Sequence, residues 1–313
     1  MSKYRNNLPQ LEGGLFLTEG GFETHAYFDL GLDLPEFAAF PLIYDDEGRG
    51  HLAAFTRRHM SIAQEKNLGF ILETPTWRAN PDHGAKLGFD RQRLDQANRD
   101  AVAFAKELRD EFETPEMRIV VSGNIGPRHD GYAPERLMTP QEAQAYHADQ
   151  VNSFAAAGVD QISTLTMTHL GEAVGITWAA QEAGVPVVMS FTTETDGRLP
   201  SGQALGDAII ECDEMTGNGP AYYMVNCAHP THFEDAIRTD EPWIHRLKGI
   251  RANASKMSHE ELDNSTELDS GDPLELGIQY REIRDMLPHI TVLGGCCGTD
   301  ERHVGHICSA CVH

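Results

Sequence analysis

The feature that most limits how this chain can fold is an alternation that repeats eight times along it. Short apolar or β-branched runs at 15–21, 70–76, 117–125, 161–166, 186–192, 222–226, 250–255 and 290–295 read as strands. Longer stretches with helical spacing lie between them. The clearest, 91–112, places Leu94, Ala97, Ala101, Phe104, Ala105 and Leu108 on one face, and 140–157, 170–183 and 203–213 follow the same logic. Gly158 and Gly184 stand where two of these helices should stop. Strands that alternate with helices imply a parallel sheet, and eight such units imply closure into an α/β (β/α)8 TIM barrel. An open doubly wound sheet is the competing architecture. It usually carries a GxGxxG turn after its first strand, and TEGGFET at 18–24 has none. The polar segment 256–272 lacks apolar periodicity and is expected to be a long loop after the seventh strand. No repeat, low-complexity tract or linker divides the chain, so residues 1–313 are expected to form one barrel domain.

Charge narrows the partners. With a formal net charge of −23, the chain is expected to bind neither nucleic acid nor an anionic membrane surface, since both are polyanions. No apolar run reaches the length of a membrane span, and MSKYRNNLPQ at the start lacks the apolar core of a signal peptide. A cytoplasmic, reducing location is expected, in which the six cysteines serve as thiols or metal ligands rather than as disulfides.

In a barrel of this kind the chemistry gathers where strands end, at the C-terminal face. Cys227 directly follows the sixth strand, in YYMVNCAHP, and Cys296 and Cys297 directly follow the eighth, in TVLGGCCGT. Neighbouring side chains in a regular strand point to opposite faces, so adjacent cysteines could not share a ligand there. Gly294, Gly295 and Gly298 permit backbone angles closed to other residues and so let both sulfurs turn toward one point. Three thiolates on one face suit zinc, which binds sulfur at roughly 2.3 Å in tetrahedral sites, and three protein ligands leave a fourth position open. Asn253 ends the seventh strand, between the sixth and the eighth, and should face the same point.

The plainer reading of a cysteine is a small buried hydrophobe, and Cys212, in a helical stretch, is read that way. A disulfide between Cys296 and Cys297 would close a strained ring. Cys308 and Cys311 form a CxxC at the end of the chain, without the second pair that a zinc site of that type uses. The histidines include no HExxH, and His229, two residues past Cys227, is read as an exposed loop residue.

These motifs carry a resemblance. TEGGFET at the first strand, ILETPTW at the second, GNIGPRHDGY after the third and SFTTETDGRLPSG after the fifth are joined by VNCAHP, RANASK and VLGGCCGT. Nearly end to end, the chain resembles the zinc-dependent homocysteine S-methyltransferase family. That family includes betaine–homocysteine and S-methylmethionine–homocysteine methyltransferases and the homocysteine module of cobalamin-dependent methionine synthase. The resemblance implies Zn2+ as cofactor and Cys227, Cys296 and Cys297 as its ligands. It implies methyl transfer from a small cationic donor (betaine, S-methylmethionine or another sulfonium) to a thiol, with homocysteine giving methionine. It also implies that Asn253 can occupy the open zinc position when substrate is absent. No catalytic residue beyond the metal site is expected, because a thiolate needs no general base.

The acceptor site is expected to draw on Glu19, Gly20, Gly21, Thr166 and Asn226. In the family the first strand usually ends in Asp-Gly-Gly, and the fourth often carries a glutamate that helps hold the amino-acid end of homocysteine. Here Glu19 replaces the aspartate, and Leu165, followed by Thr166, stands in place of the glutamate. Glu19 is therefore the expected anchor for an ammonium group. Cationic methyl groups are commonly held against aromatic faces, and Phe22 and Trp77, with Tyr27 and Tyr132, lie near loops of the active face. Two other readings stay open: a zinc barrel that demethylates a quaternary amine or sulfonium toward a different thiol or a carrier protein, and a non-catalytic barrel subunit whose zinc is structural.

Overall fold

The computed structural model describes residues 1–134 and 136–312, so Glu135 and His313 lie outside the described residues. The strands are buried along their whole length, save for half-buried Lys248 in the seventh, because each is covered on both faces, as parallel sheets require. Eight parallel strands pair in chain order: β1 (Phe16–Leu17), β2 (Gly69–Glu73), β3 (Ile119–Ile125), β4 (Gln161–Met167), β5 (Val187–Phe191), β6 (Tyr223–Asn226), β7 (Leu247–Ala252) and β8 (Val292–Gly295). β8 returns to β1, with Phe16 opposite Val292 and Leu17 opposite Leu293, and the expected barrel closes. No helix among the described residues is long and apolar enough to cross a membrane.

Among the described residues, seven helices of eleven or more residues surround it: α1 (Asp46–Glu65), α2 (Arg91–Phe112), α3 (Pro140–Ala157), α4 (Leu170–Ala183), α5 (Leu205–Thr216), α6 (Pro273–Met286) and α7 (Glu301–Cys311). α2, α3 and α4 run where the sequence places them. Gly158 and Gly184 end α3 and α4 with φ of 78° and 66°, the left-handed conformation that favours glycine. The sixth unit departs from the expected pattern. Between β6 and β7 the chain makes only a four-residue helix, Pro230–Phe233, and a 3-10 turn, Pro242–Arg246. The segment 256–272 is not all loop either, for His259–Asp263 is helical behind a capping box from Ser258 and Glu261. β1 is shorter than expected because the chain turns away after Leu17. β7 begins three residues early, where Lys248 and Gly249 hide its strand character.

Alternate residues sort into two cores, as period-two strands in a barrel must. Phe16, Ile71, Val120, Val188, Met224 and Val292 fill the barrel, while Leu17, Phe70, Leu72, Ile119, Val121 and Leu293 pack with the helices. Two residues above Ile71 the inward side chain is Glu73, and two above Gly249 it is Arg251. They meet as a buried ion pair beneath the barrel mouth.

Helix α1 ties the exit of β1 to the outer layer through His59, which is fully buried. Its Nδ1 lies 2.9 Å from the Phe55 carbonyl, and its Nε2 lies 3.2 Å from the Gly20 amide. Those partners select the neutral tautomer: Nδ1–H donates to the carbonyl and Nε2 accepts from Gly20. Burial holds the His59 pKa down at about 4. A histidine depressed below its unfolded value of about 6.5 stabilises the fold fully above that pH, and the contribution is lost as pH falls toward the folded value. His59→Gln should therefore be less stable than wild type at pH 7. By denaturant unfolding, that deficit should shrink by up to about 2 kcal/mol on going to pH 5. A deficit that stays constant between pH 7 and pH 5 would contradict a buried neutral His59.

Candidate metal centre and cavity

The three cysteines expected at the barrel mouth meet there. Their Sγ atoms all lie within 4.8 Å of one another, and those of Cys227 and Cys297 are 3.5 Å apart. Thiolates at tetrahedral corners about 2.3 Å from zinc stand roughly 3.8 Å from each other, so the trio fits such an ion with little rearrangement. Among the described residues no other group of three Cys, His or acidic side chains gathers its ligand atoms this closely.

Adjacent cysteines can face one point because the chain leaves the strand before them. The Cys296 carbonyl accepts from Thr299 N at 3.1 Å and from Thr299 Oγ1 at 2.7 Å, closing a turn in which Gly298 takes φ 76°. Gly294 and Gly295 serve a different end from the one read in the sequence. Neither adopts positive φ, and a Cβ on either would collide with Thr18 Oγ1 or Thr299 Oγ1. The unusual backbone lies instead at Cys227, a non-glycine residue with φ 56°.

Cys227 is held in that conformation by its neighbours. Its carbonyl accepts from His259 Nε2 at 2.8 Å and from Thr192 Oγ1 at 3.2 Å. His259 Nδ1 meets Glu194 at 3.0 Å, and the ring stacks on Tyr132 at 4.0 Å. The Tyr132 hydroxyl reaches both Cys227 Sγ, at 3.3 Å, and Cys297 Sγ, at 3.6 Å. Asn226 Oδ1 accepts from Thr166 N at 2.8 Å and Ser190 Oγ at 2.7 Å; its Nδ2 donates to Thr166 Oγ1 at 2.9 Å and reaches Cys296 Sγ at 3.8 Å. Thr166, at φ 65°, lines the cavity, while Asn226 stands behind it.

The thiols do not share charge equally. Hydrogen bonds from Cys227 and Cys297, with help from the field of Arg251, hold Cys296 well below the ordinary thiol range. The same bonds push Cys227 and Cys297 up, which concentrates negative charge on Cys296. Arg251 binds the Glu73 carboxylate, the Gly295 carbonyl at 3.1 Å and the Glu19 carbonyl at 3.2 Å. Sequence reasoning missed Arg251 and His259. Counting in twos along β7 could have found the arginine, whereas nothing local marks the histidine.

A cavity of about 500 Å3 opens over the thiols. Its wall carries Glu19, Glu23, Glu73, Asp130, Asp263, Glu267 and Asp269 against two cations, Arg78 and Arg251. Phe22, Tyr27, Trp77 and Tyr132 all line it. The Arg78 guanidinium covers one face of Trp77 at 4.1 Å, and Trp77 Nε1 donates to the Leu165 carbonyl at 3.2 Å. Glu19 Oε2 accepts from Thr56 Oγ1 at 2.9 Å, and burial pushes the carboxyl up to about 8 against the pull of Arg251. Gly20 and Gly21 pack on the cysteine turn, where a Cβ would strike the carbonyls of Thr299 and Cys296 respectively. Asn253 also lines the cavity, and its side-chain oxygen is buried without a hydrogen-bond partner. An orphaned acceptor beside three thiols is what a weak fourth ligand requires.

One sequence reading needs correction. His229 is not exposed but 2 % accessible; its Nδ1 accepts from Thr231 N at 3.3 Å, and burial lowers its pKa to about 4. Cys308 and Cys311 are both buried on α7 against the outer core, and burial raises both thiols. Cys212 is buried on α5, as expected.

The chain is similar to known proteins. A family model for homocysteine S-methyltransferases matches residues 65–311. Methionine synthase of Mycobacterium leprae is 22% identical over 250 residues, 77% of this chain and 20% of that protein. The Mycobacterium tuberculosis methionine synthase is 22% identical over 238 residues, 70% of this chain and 18% of its own. The chain thus spans about a fifth of the length of these relatives. Crystal structures of the Escherichia coli homocysteine methyltransferase MmuM superpose with TM-scores of 0.75 (oxidised) and 0.73 (metallated), at 16% identity over 98% of this chain and 99% of that one. At that identity the likeness establishes the fold. The family match covers seven of the eight strands and all three clustered cysteines, and the chain belongs to the homocysteine S-methyltransferase family of thiol methyltransferases.

Proposed function

We propose that this barrel transfers a methyl group from a small quaternary ammonium or sulfonium donor to the thiol of homocysteine, with zinc held by Cys227, Cys296 and Cys297. The observation that carries this reading is the convergence of three sulfurs beneath an acidic, aromatic-lined cavity. Zinc bound there would supply the acidity that strips the proton from an acceptor thiol, whose free pKa is about 8.5, and leaves its sulfur anionic.

The chain's own side chains do the rest. Arg251 sets a positive field against a cluster that concentrates negative charge, and its bonds to the Gly295 and Glu19 carbonyls hold both turns of the site in register. Asn253, with its unpartnered oxygen, is the proposed weak fourth ligand. The acidic wall attracts a cation, and the faces of Phe22 and Trp77 receive its methyl-bearing centre. Glu19, which accepts from Thr56 Oγ1, adds its carboxyl to that wall. The thiolate attacks the methyl carbon in line, forming the new S–C bond as the donor's bond to that carbon breaks. The donor departs as a neutral amine or sulfide. Positioning the two reactants is then the main task of the protein.

Cys297→Ser should abolish tight zinc binding, measured by metal content after dialysis, together with methyl transfer. Its circular dichroism should stay that of the wild type, because the barrel cores do not include this residue. Full zinc content with full activity in that variant would remove the site from consideration. Binding of homocysteine to the zinc-loaded protein near neutral pH should also release about one proton per thiol. Calorimetry in buffers of differing ionisation enthalpy reads this directly, and heats independent of the buffer would contradict thiol deprotonation.

A further inference from the structure

We propose that Glu23 is the residue by which this site selects an α-amino thiol, receiving the ammonium group of the acceptor. The inference rests on homocysteine as acceptor and adds the side chain that distinguishes it from a simple thiol. Glu23 follows the Gly20–Gly21 contact with the cysteine turn, and its segment is pinned to that turn on both sides. Gly21 N donates to the Thr299 carbonyl at 3.0 Å, and Gly298 N donates to Thr24 Oγ1 at 3.0 Å. The backbone of Glu23, between these two ties, is therefore held beside the cysteine turn.

The acids of the cavity wall are not equally free. Glu73 is bound by Arg251, Glu19 accepts from Thr56, Asp269 accepts from Ser255 and Asp130 from the Tyr132 and Ala133 amides, while Asp263 and Glu267 are exposed. Glu23 lines the same cavity, half-buried, and among the described residues it has no ion pair and no side-chain donor. Leu165, across the wall, offers nothing to a charge. An ammonium group entering this cavity must be partnered or bear a large desolvation penalty, and Glu23 is the carboxylate left open to partner it. Burial first of all, with the field of Cys296 adding to it, pushes the Glu23 carboxyl up to about 7, so a cation beside it would restore its charge.

The test compares binding of L-homocysteine with 4-mercaptobutyrate, the same thiol without its amino group, to zinc-loaded protein by calorimetry. Wild type should prefer homocysteine. In Glu23→Gln the affinity for homocysteine should fall by about ten- to a hundredfold, the loss of one charge-assisted hydrogen bond. The affinity for 4-mercaptobutyrate and the zinc content should stay unchanged. Equal losses for both thiols, or none for homocysteine, would overturn the assignment. Should Glu23→Gln fail to fold or to load zinc, Glu23→Asp carries the same test: the preference for homocysteine should narrow, and an unchanged preference would overturn it. A wild-type protein that binds both thiols equally would instead overturn homocysteine as the acceptor, and Glu23 as its anchor with it.

Discussion

The parallel pairing of β1 with β8, only two residues long on each strand, is the constraint on which the site depends. Phe16 N bonds to the Thr291 carbonyl and Thr18 N to the Leu293 carbonyl, each at 2.8 Å, and the sheet becomes a ring. Just above this pairing the two chain segments must touch more closely than side chains allow. Gly294 on one side, and Gly20 and Gly21 on the other, leave room for carbonyls and hydroxyls of the opposing turn, while Gly295 leaves room for Thr299 of its own turn. The result joins residues 274 positions apart, Thr24 and Gly298, in one hydrogen bond. It also sets the Cys296–Cys297 turn beside Glu19 and Glu23. A side chain at Gly20, Gly21 or Gly294 would separate the turns and move two of the three sulfurs.

The third sulfur is placed by strain. Thr166 and Cys227 both hold left-handed backbone without being glycine, at a cost of roughly 1–3 kcal/mol each. The surroundings impose it. Asn226 ties the ends of β4, β5 and β6 through Thr166 and Ser190, and His259 and Thr192 fix the Cys227 carbonyl. None of these bonds is made by the Cys227 sulfur itself, yet it points at the other two because of them. Arg251 performs the corresponding task for β8 and β1 while bringing a buried positive charge, matched by Glu73, beneath a thiol cluster that gathers negative charge.

The barrel was legible because its signals are periodic and repeated: α2, α3 and α4 stand where helical spacing and terminal glycines put them. The cysteines were legible because strand ends in a barrel share one face. What stayed hidden depends on contacts between distant segments. Glu23 and Thr24 carry no local signal of their own, and their place beside the thiols comes only from Gly298 and Thr299 closing on that segment. His229 looked exposed because a polar residue after a strand usually is, but Thr231 and the short helix behind it bury the ring. The glycines around the cysteines were noticed for the wrong reason. Only Gly298 uses backbone freedom, and the others answer close packing that no local pattern announces.

The central claim is that three protein sulfurs form one metal site and leave room for the sulfur of a substrate. Zinc K-edge X-ray absorption on the zinc-loaded protein, with and without homocysteine, tests it most directly. The account predicts three sulfurs and one lighter atom around zinc in the free protein, rising to four sulfurs when homocysteine binds. A sulfur count below three, or one that does not change on adding the thiol, would contradict it.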